Sequence, residues 1–198
     1  SSLRIFAFFG DPERGLLRNL DHITDNTTFG DNTTQPNVSV GQISFAGFSM
    51  GNKNTTSYSY SSTQVFDYTG ISCGWTTEGN GSFKALNTLV SRGFPKITTD
   101  MKGDTTSKSA DYIVKFSNFI SNYDSVIVKI NSGSSSLIKR VGSTSGSVTF
   151  KAEELSSQYY SSTTLSIMAF NYSNMTVEGK SYLLELSNKL DLQLIITP

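Results

Sequence analysis

An all-β protein of two β-sandwich domains, with one short helix near the N-terminus, is what the sequence predicts, on three observations. Most apolar runs are short and alternate with small or polar residues, the two-residue period of a half-buried strand. Gly, Asn and Asp clusters separate these runs at turn spacing, about every ten residues in the second half. A polar stretch over residues 100–109 divides the 198 residues into two parts, each of domain size.

Taken in order, residues 3–9 are apolar and aromatic, and Gly10, Asp11 and Pro12 end them as a strand followed by a turn. Leu16, Leu17, Leu20 and Ile23 then recur at helical spacing behind Asp11 and Pro12, an N-cap and first-turn pair, so a short helix is expected over 13–23. Residues 24–37 are Asn- and Thr-rich, with Gly30 and Pro36, and read as a loop. Strand alternation returns over 38–45, and 51–54 is turn chemistry. Tyr58 and Tyr60 alternate with serine, and strands at 65–68 and 71–75 flank Thr69 and Gly70. The run 83–90 fits two readings. Phe83, Leu86, Leu89 and Val90 make a helical stripe, but Gly79, Asn80, Gly81 and Gly93 bound it at strand length, and the all-β setting decides for a strand.

The polar stretch at 100–109 reads as a linker, which sets the domains at 1–105 and 106–198. Beyond it the texture is regular: strands are expected at 112–116, 126–130, 137–141, 148–150, 165–170, 180–186 and 190–196, with turn signals at Gly133, Gly142, Gly146 and Glu178-Gly179. Seven short strands in about 90 residues predict an immunoglobulin-like sandwich, without the Cys-Trp-Cys pattern of antibody domains. Residues 152–155 are expected to form one short turn between the layers, with Leu155 plugging the core.

Composition narrows the function. Sixteen basic and 16 acidic residues give zero net charge, which argues against a nucleic-acid binder. A single Cys rules out an internal disulfide framework and a Cys-rich zinc site, and a single His rules out a multi-His metal centre. No apolar run reaches the roughly 18 residues of a membrane span. There is no phosphate loop, dinucleotide fingerprint or zinc spacing, and no cofactor is expected. Ser and Thr number 54, so the surface is hydroxyl rather than charge. With one Cys, that fits a secreted or cell-surface protein. The start at Ser1 and Ser2 reads as a mature or trimmed chain.

Candidate site residues are few. Tyr58, Tyr60 and Trp75 are the ligand-binding candidates, since exposed aromatics on a sheet stack on sugars or anchor protein partners. Against this, the core reading is the favoured one for Trp75, and Tyr58 and Tyr60 are the better candidates for exposure. Cys73 reads as a small core hydrophobe. His22 lacks a nucleophile and reads as a solvated or capping residue. Asp25, Asp31 and Asn32 do not match a calcium loop, and helix capping and solvation explain the acids better. Asn26, Asn32, Asn37, Asn54, Asn80, Asn171 and Asn174 begin Asn-x-Ser/Thr sequons, which a chain this rich in the three residues yields by chance. Lys129, Lys139, Arg140 and Lys151 are scattered along strands, where they are expected to blunt edge pairing.

Residues 125–130, 148–155, 165–172 and 179–182, together with Gly74, Trp75 and 79–83, resemble the immunoglobulin-like module of surface lipoproteins from Bacteroidetes-type bacteria. The resemblance covers about three quarters of the chain, mainly 111–198, and rests on structural positions. It implies an exported, lipid-anchored outer-membrane protein with no assigned activity, although the lipobox and anchor Cys are not in this sequence. The expected function is therefore a non-enzymatic binding or structural module with a glycan or protein partner. The alternative is an accessory domain or remnant of a carbohydrate-active enzyme, in which Asp67 and Glu78 would form a glycosidase-type carboxylate pair. A spacer is the third reading.

Overall fold

The computed structural model describes residues 2–9, 24–25, 42–45, 48–49, 51–54, 57–59, 72–79, 84–98, 100, 102–132, 135–157, 162–178 and 180–198. Over these residues the protein is all-β. In the first half the strands are β1 (Ser2–Phe9), β2 (Thr24–Asp25), β3 (Ile43–Phe45), β4 (Phe48–Ser49), β5 (Gly51–Asn54), β6 (Ser57–Ser59), β7 (Cys73–Thr77), β8 (Leu86–Val90) and β9 (Lys96–Ile97). The second half contains β10 (Asp104–Ser107), β11 (Tyr112–Lys115), β12 (Ile120–Ser121), β13 (Ser125–Ser132), β14 (Ser135–Gly142), β15 (Ser147–Phe150), the helical turn α1 (Ala152–Leu155), β16 (Ser162–Val177) and β17 (Lys180–Thr197). The ambiguous run at 83–90 contains a strand, β8. The helix expected over 13–23 and the strand expected at 65–68 lie outside the described residues.

Alternation builds the core. In β13, Val126, Val128 and Ile130 are buried while Ile127 and Lys129 between them are half-buried. In β11, Tyr112 and Val114 point inward and Ile113 and Lys115 outward. These inward rows join Val148 and Phe150 of β15, Leu165, Ile167 and Ala169 of β16, and Leu194 and Ile196 of β17 in one cluster. Each Val, Leu, Ile or Phe among them contributes about 1.5–3 kcal/mol on full burial. Leu155 of α1 is fully buried in the same cluster, the plug expected from the sequence.

The largest sheet has the order β14-β13-β16-β17-β1-β2, with β10 also on β17. Strands β16 and β17 pair antiparallel from Val177↔Lys180 to Ser162↔Ile195. Glu178 closes their turn at φ 49, in the left-handed region that tight hairpin turns require. Two strands were expected at 180–186 and 190–196, but β17 is continuous, because residues 187–189 hold neither Gly nor Pro to break it. Its 18 residues span about 60 Å at ~3.3 Å per residue. That is about twice the width of a small domain, so β17 is long enough to serve both halves of the chain.

Its free edge is shared accordingly. β1 lies parallel along it from Ser2↔Ser181 to Phe9↔Asn188, and β10 lies parallel further on, from Asp104↔Leu194 to Ser107↔Thr197. The linker expected over 100–109 therefore contains an edge strand. Pairing at an edge draws on backbone donors and acceptors and does not need an apolar row, so Thr105 and Thr106 suffice. Just before it, a Cβ on Gly103 would stand 2.4 Å from the Gln193 carbonyl oxygen, so only glycine admits this approach. The boundary placed near residue 105 falls inside β10, and the large sheet runs across it. The first half also has its own antiparallel sheet, β4-β3-β7-β8, and the β5–β6 pair.

Candidate functional site

The three residues singled out as ligand-binding candidates are not placed alike. Tyr58 lies in β6, opposite Asn52 of β5. Tyr60 lies outside the described residues. Trp75, in β7 opposite Phe45 and Thr88, is completely buried. A ring with no exposed surface offers no platform for a sugar, so Trp75 takes the core role that was its favoured reading. Of the proposed carboxylate pair, Asp67 lies outside the described residues, and the exposed Glu78 accepts a hydrogen bond from the Gln42 N–H at 3.3 Å. His22 and Asp31 are also outside the described residues. Asp25 ends β2, opposite Leu3.

The best-formed polar cluster lies elsewhere, where residues 92–95 lie against the β16–β17 hairpin. Asn171, fully buried on β16, donates through Nδ2 to the Gly93 and Asn122 carbonyls, each at 2.8 Å. Asn188 on β17 donates to the Pro95 carbonyl at 3.2 Å. Because Ala169 pairs with Asn188 and Asn171 with Leu186, the two asparagines are diagonal neighbours on one face of the sheet. From the facing turn, Asn122 adopts φ 57, a conformation asparagine tolerates, and its amide reaches the Arg92 carbonyl at 2.6 Å. Asp124 closes the group: Oδ1 meets Arg92 at 2.5 Å and Oδ2 accepts the Tyr172 N–H at 2.9 Å.

On the opposite face of the same strands, the Ser125 and Tyr172 hydroxyls share a hydrogen bond of 2.9 Å. Arg140 donates to both. Its guanidinium also lies over the Tyr172 ring, which stacks on Phe170 at 6.0 Å. An arginine can only donate, so it supplies no general base to either hydroxyl. Among the described residues no group of three His, Cys, Asp or Glu is placed to hold a metal ion. Sequence reading missed Arg92, Asn122, Asp124 and Asn188 and treated Asn171 only as a sequon. The available signal was a polar residue interrupting or ending an apolar run: Asn171 follows 165–170, and Asn188 sits between the two runs of β17. The burial of Asn171 and the commitment of its amide also exclude a glycan there in the folded chain, whereas Asn174 is exposed.

A second polar group clasps α1. Lys139 of β14 reaches Glu154 at 2.6 Å and the Thr149 carbonyl at 2.7 Å, and Lys151 reaches Asp111 at 2.7 Å. Hydrogen bonds from Lys151 and the Ala152 N–H hold the Asp111 carboxyl below its ordinary value. Those from Lys139 and the Lys151 N–H do the same for Glu154. Carboxyls depressed on folding stabilise above their ordinary pKa, and that contribution is lost as pH falls through their folded values. The Tm is therefore expected to drop on acidification below about pH 4.5, the ordinary value for glutamate. Glu154→Gln should remove part of that slope. Parallel Tm–pH curves for the two proteins would take Glu154 out of the acid response.

Comparison with family models, with curated proteins and with solved structures returns no match.

Proposed function

We propose that the chain is a non-enzymatic module of the cell exterior, secreted or surface-held, that binds a glycan or a protein partner. The observation that carries this reading is how the polar cluster is used. Asn122, Asn171 and Asn188 spend their amide donors on backbone carbonyls, and both oxygens of Asp124 already hold a donor. A reacting site keeps groups available for substrate, whereas a scaffold that displays a surface uses them to fix its own backbone. The 54 Ser and Thr and the single Cys support export.

In this reading residues 106–198 are an immunoglobulin-like sandwich. The strand order supports it, with β14-β13-β16-β17 and β10 in one layer and the antiparallel β11–β15 pair contributing to the same core. Recognition then falls to loops and to strands such as β6, which carries Tyr58. The test is glycan-array binding by the wild-type chain and by Tyr58→Ala/Tyr60→Ala. Loss of binding with an unchanged Tm supports a glycan role and locates it. Retained binding keeps the glycan and moves its site. No binding by the folded protein removes the glycan and leaves a protein partner, and cleavage of any arrayed glycan would overturn the non-enzymatic reading.

A further inference from the structure

The edge strand β14 was expected to be blunted by Lys139 and Arg140, and the structure turns both charges away from it. Lys139 points across the core face to Glu154 and the Thr149 carbonyl of β15, with its ammonium 5.2 Å from the centre of the Phe150 ring. Arg140 lies back over the opposite face, held by Ser125 of β13 and Tyr172 of β16. What remains at the middle of the strand is Ile138, 60% exposed. Among the described residues β14 pairs with β13 alone, over an unbroken register from Ser125↔Gly142 to Ser132↔Ser135. It contains no proline and no bulge. A regular edge with its charges withdrawn and an exposed β-branched residue at its centre is a template for strand addition.

We propose that the occupant of this edge is a second copy of the chain, with the two β14 strands pairing antiparallel about a two-fold axis at Ile138. Charge and overlap favour this register: an axis at Lys139 or Arg140 would set like charges opposite one another, and one at Leu137 would pair less of β14. It sets Ile138 against Ile138 of the second copy, an apolar cross-strand pair. Arg140 then faces Ser136 of the second copy, and Lys139 faces its Leu137, so no like charges stand opposite one another. Each Lys139 also keeps its own Glu154. Zero net charge on the chain adds no long-range repulsion between copies. The contact is isologous and closed, so it stops at two chains, and the large sheet continues from one copy into the other. A strand-to-strand contact is small, so the dimer is a weak one. The inference is independent of what the module binds.

Sedimentation equilibrium of the wild-type chain from micromolar to millimolar concentration tests it, with Ile138→Lys as the comparison. The expected result is a mass rising toward two chains for the wild type and a single-chain mass throughout for Ile138→Lys. Cysteine cross-linking in a Cys73→Ser background checks the register. Opposed residues of an antiparallel pair have Cα atoms about 4.5–5.5 Å apart, within disulfide reach. Ile138→Cys should therefore self-link on mild oxidation, and Ser136→Cys, which faces position 140 of the second copy, should not. A wild type that stays monomeric to millimolar concentration overturns the proposal. So does a dimer that survives Ile138→Lys and leaves Ile138→Cys unlinked. Ile138 is exposed, so its variants test association without disturbing the core.

Discussion

At neutral pH, Asn171→Asp is expected to destabilise the fold by about 3–5 kcal/mol, the cost of an uncompensated buried charge. The change is nearly isosteric, yet it replaces the Nδ2 donor with an oxygen that faces the Gly93 and Asn122 carbonyls at 2.8 Å. An ionised aspartate there has acceptors on both sides and lies at a fully buried position. Its folded pKa must then rise above the ordinary value of about 3.9. For an acid raised on folding, the penalty is absent below the unfolded pKa and grows as pH rises. The deficit measured by urea denaturation should therefore shrink between pH 7 and pH 4. Asn171→Leu removes the same donors and also removes a buried Oδ1 that has no hydrogen-bond partner among the described residues. Its loss should be smaller, about 1–3 kcal/mol, and independent of pH. Equal deficits for Asn171→Asp at the two pH values would show that buried charge is not the cause.

Phe150→Ala should also cost about 3–5 kcal/mol. The ring is fully buried, in the same cluster as Tyr112, Val114, Leu155 and Ile167, and it carries the Lys139 ammonium at 5.2 Å. Removing it leaves a cavity that rigid strands on both sides cannot close, and it takes away the surface beneath the lysine. Against a total stability of about 5–15 kcal/mol for a domain, this is a large fraction. The denaturation midpoint should fall with the slope m unchanged. Ile138→Ala, at a side chain that is 60% exposed, should stay within about 0.5 kcal/mol in dilute solution. Similar losses for the two variants would contradict the placement of the core.

Much of the second half was legible because its strands follow a two-residue period that burial directly enforces. Lys129 and Lys115 interrupt short β-branched runs, which marks 126–130 and 112–116 as strands whatever their partners are. The 152–155 turn with its buried Leu155 was legible for the same reason. Residues 104–107 were not, because an edge strand is held by backbone pairing to β17 and leaves no apolar signature. The fusion of two expected strands into β17 was hidden too, since Asn188 looks like a turn residue until the Pro95 carbonyl is seen to receive its amide.

The site divides in the same way. Trp75 was weighed from the sequence as core or platform, and only the packing of β7 buried it. Asn122, Asp124, Asn171 and Asn188 are widely separated polar residues, with no spacing that marks them as a group. Their hydrogen bonds join segments 28 to 93 residues apart. By itself the sequence determined the all-β class, the runs that become strands in the second half and the absence of net charge, because local alternation and composition dictate these. Which strands share β17, where Lys139 and Arg140 point, and which amides brace the backbone were decided only by tertiary structure. Those outcomes depend on partners brought together by folding, which no local pattern encodes.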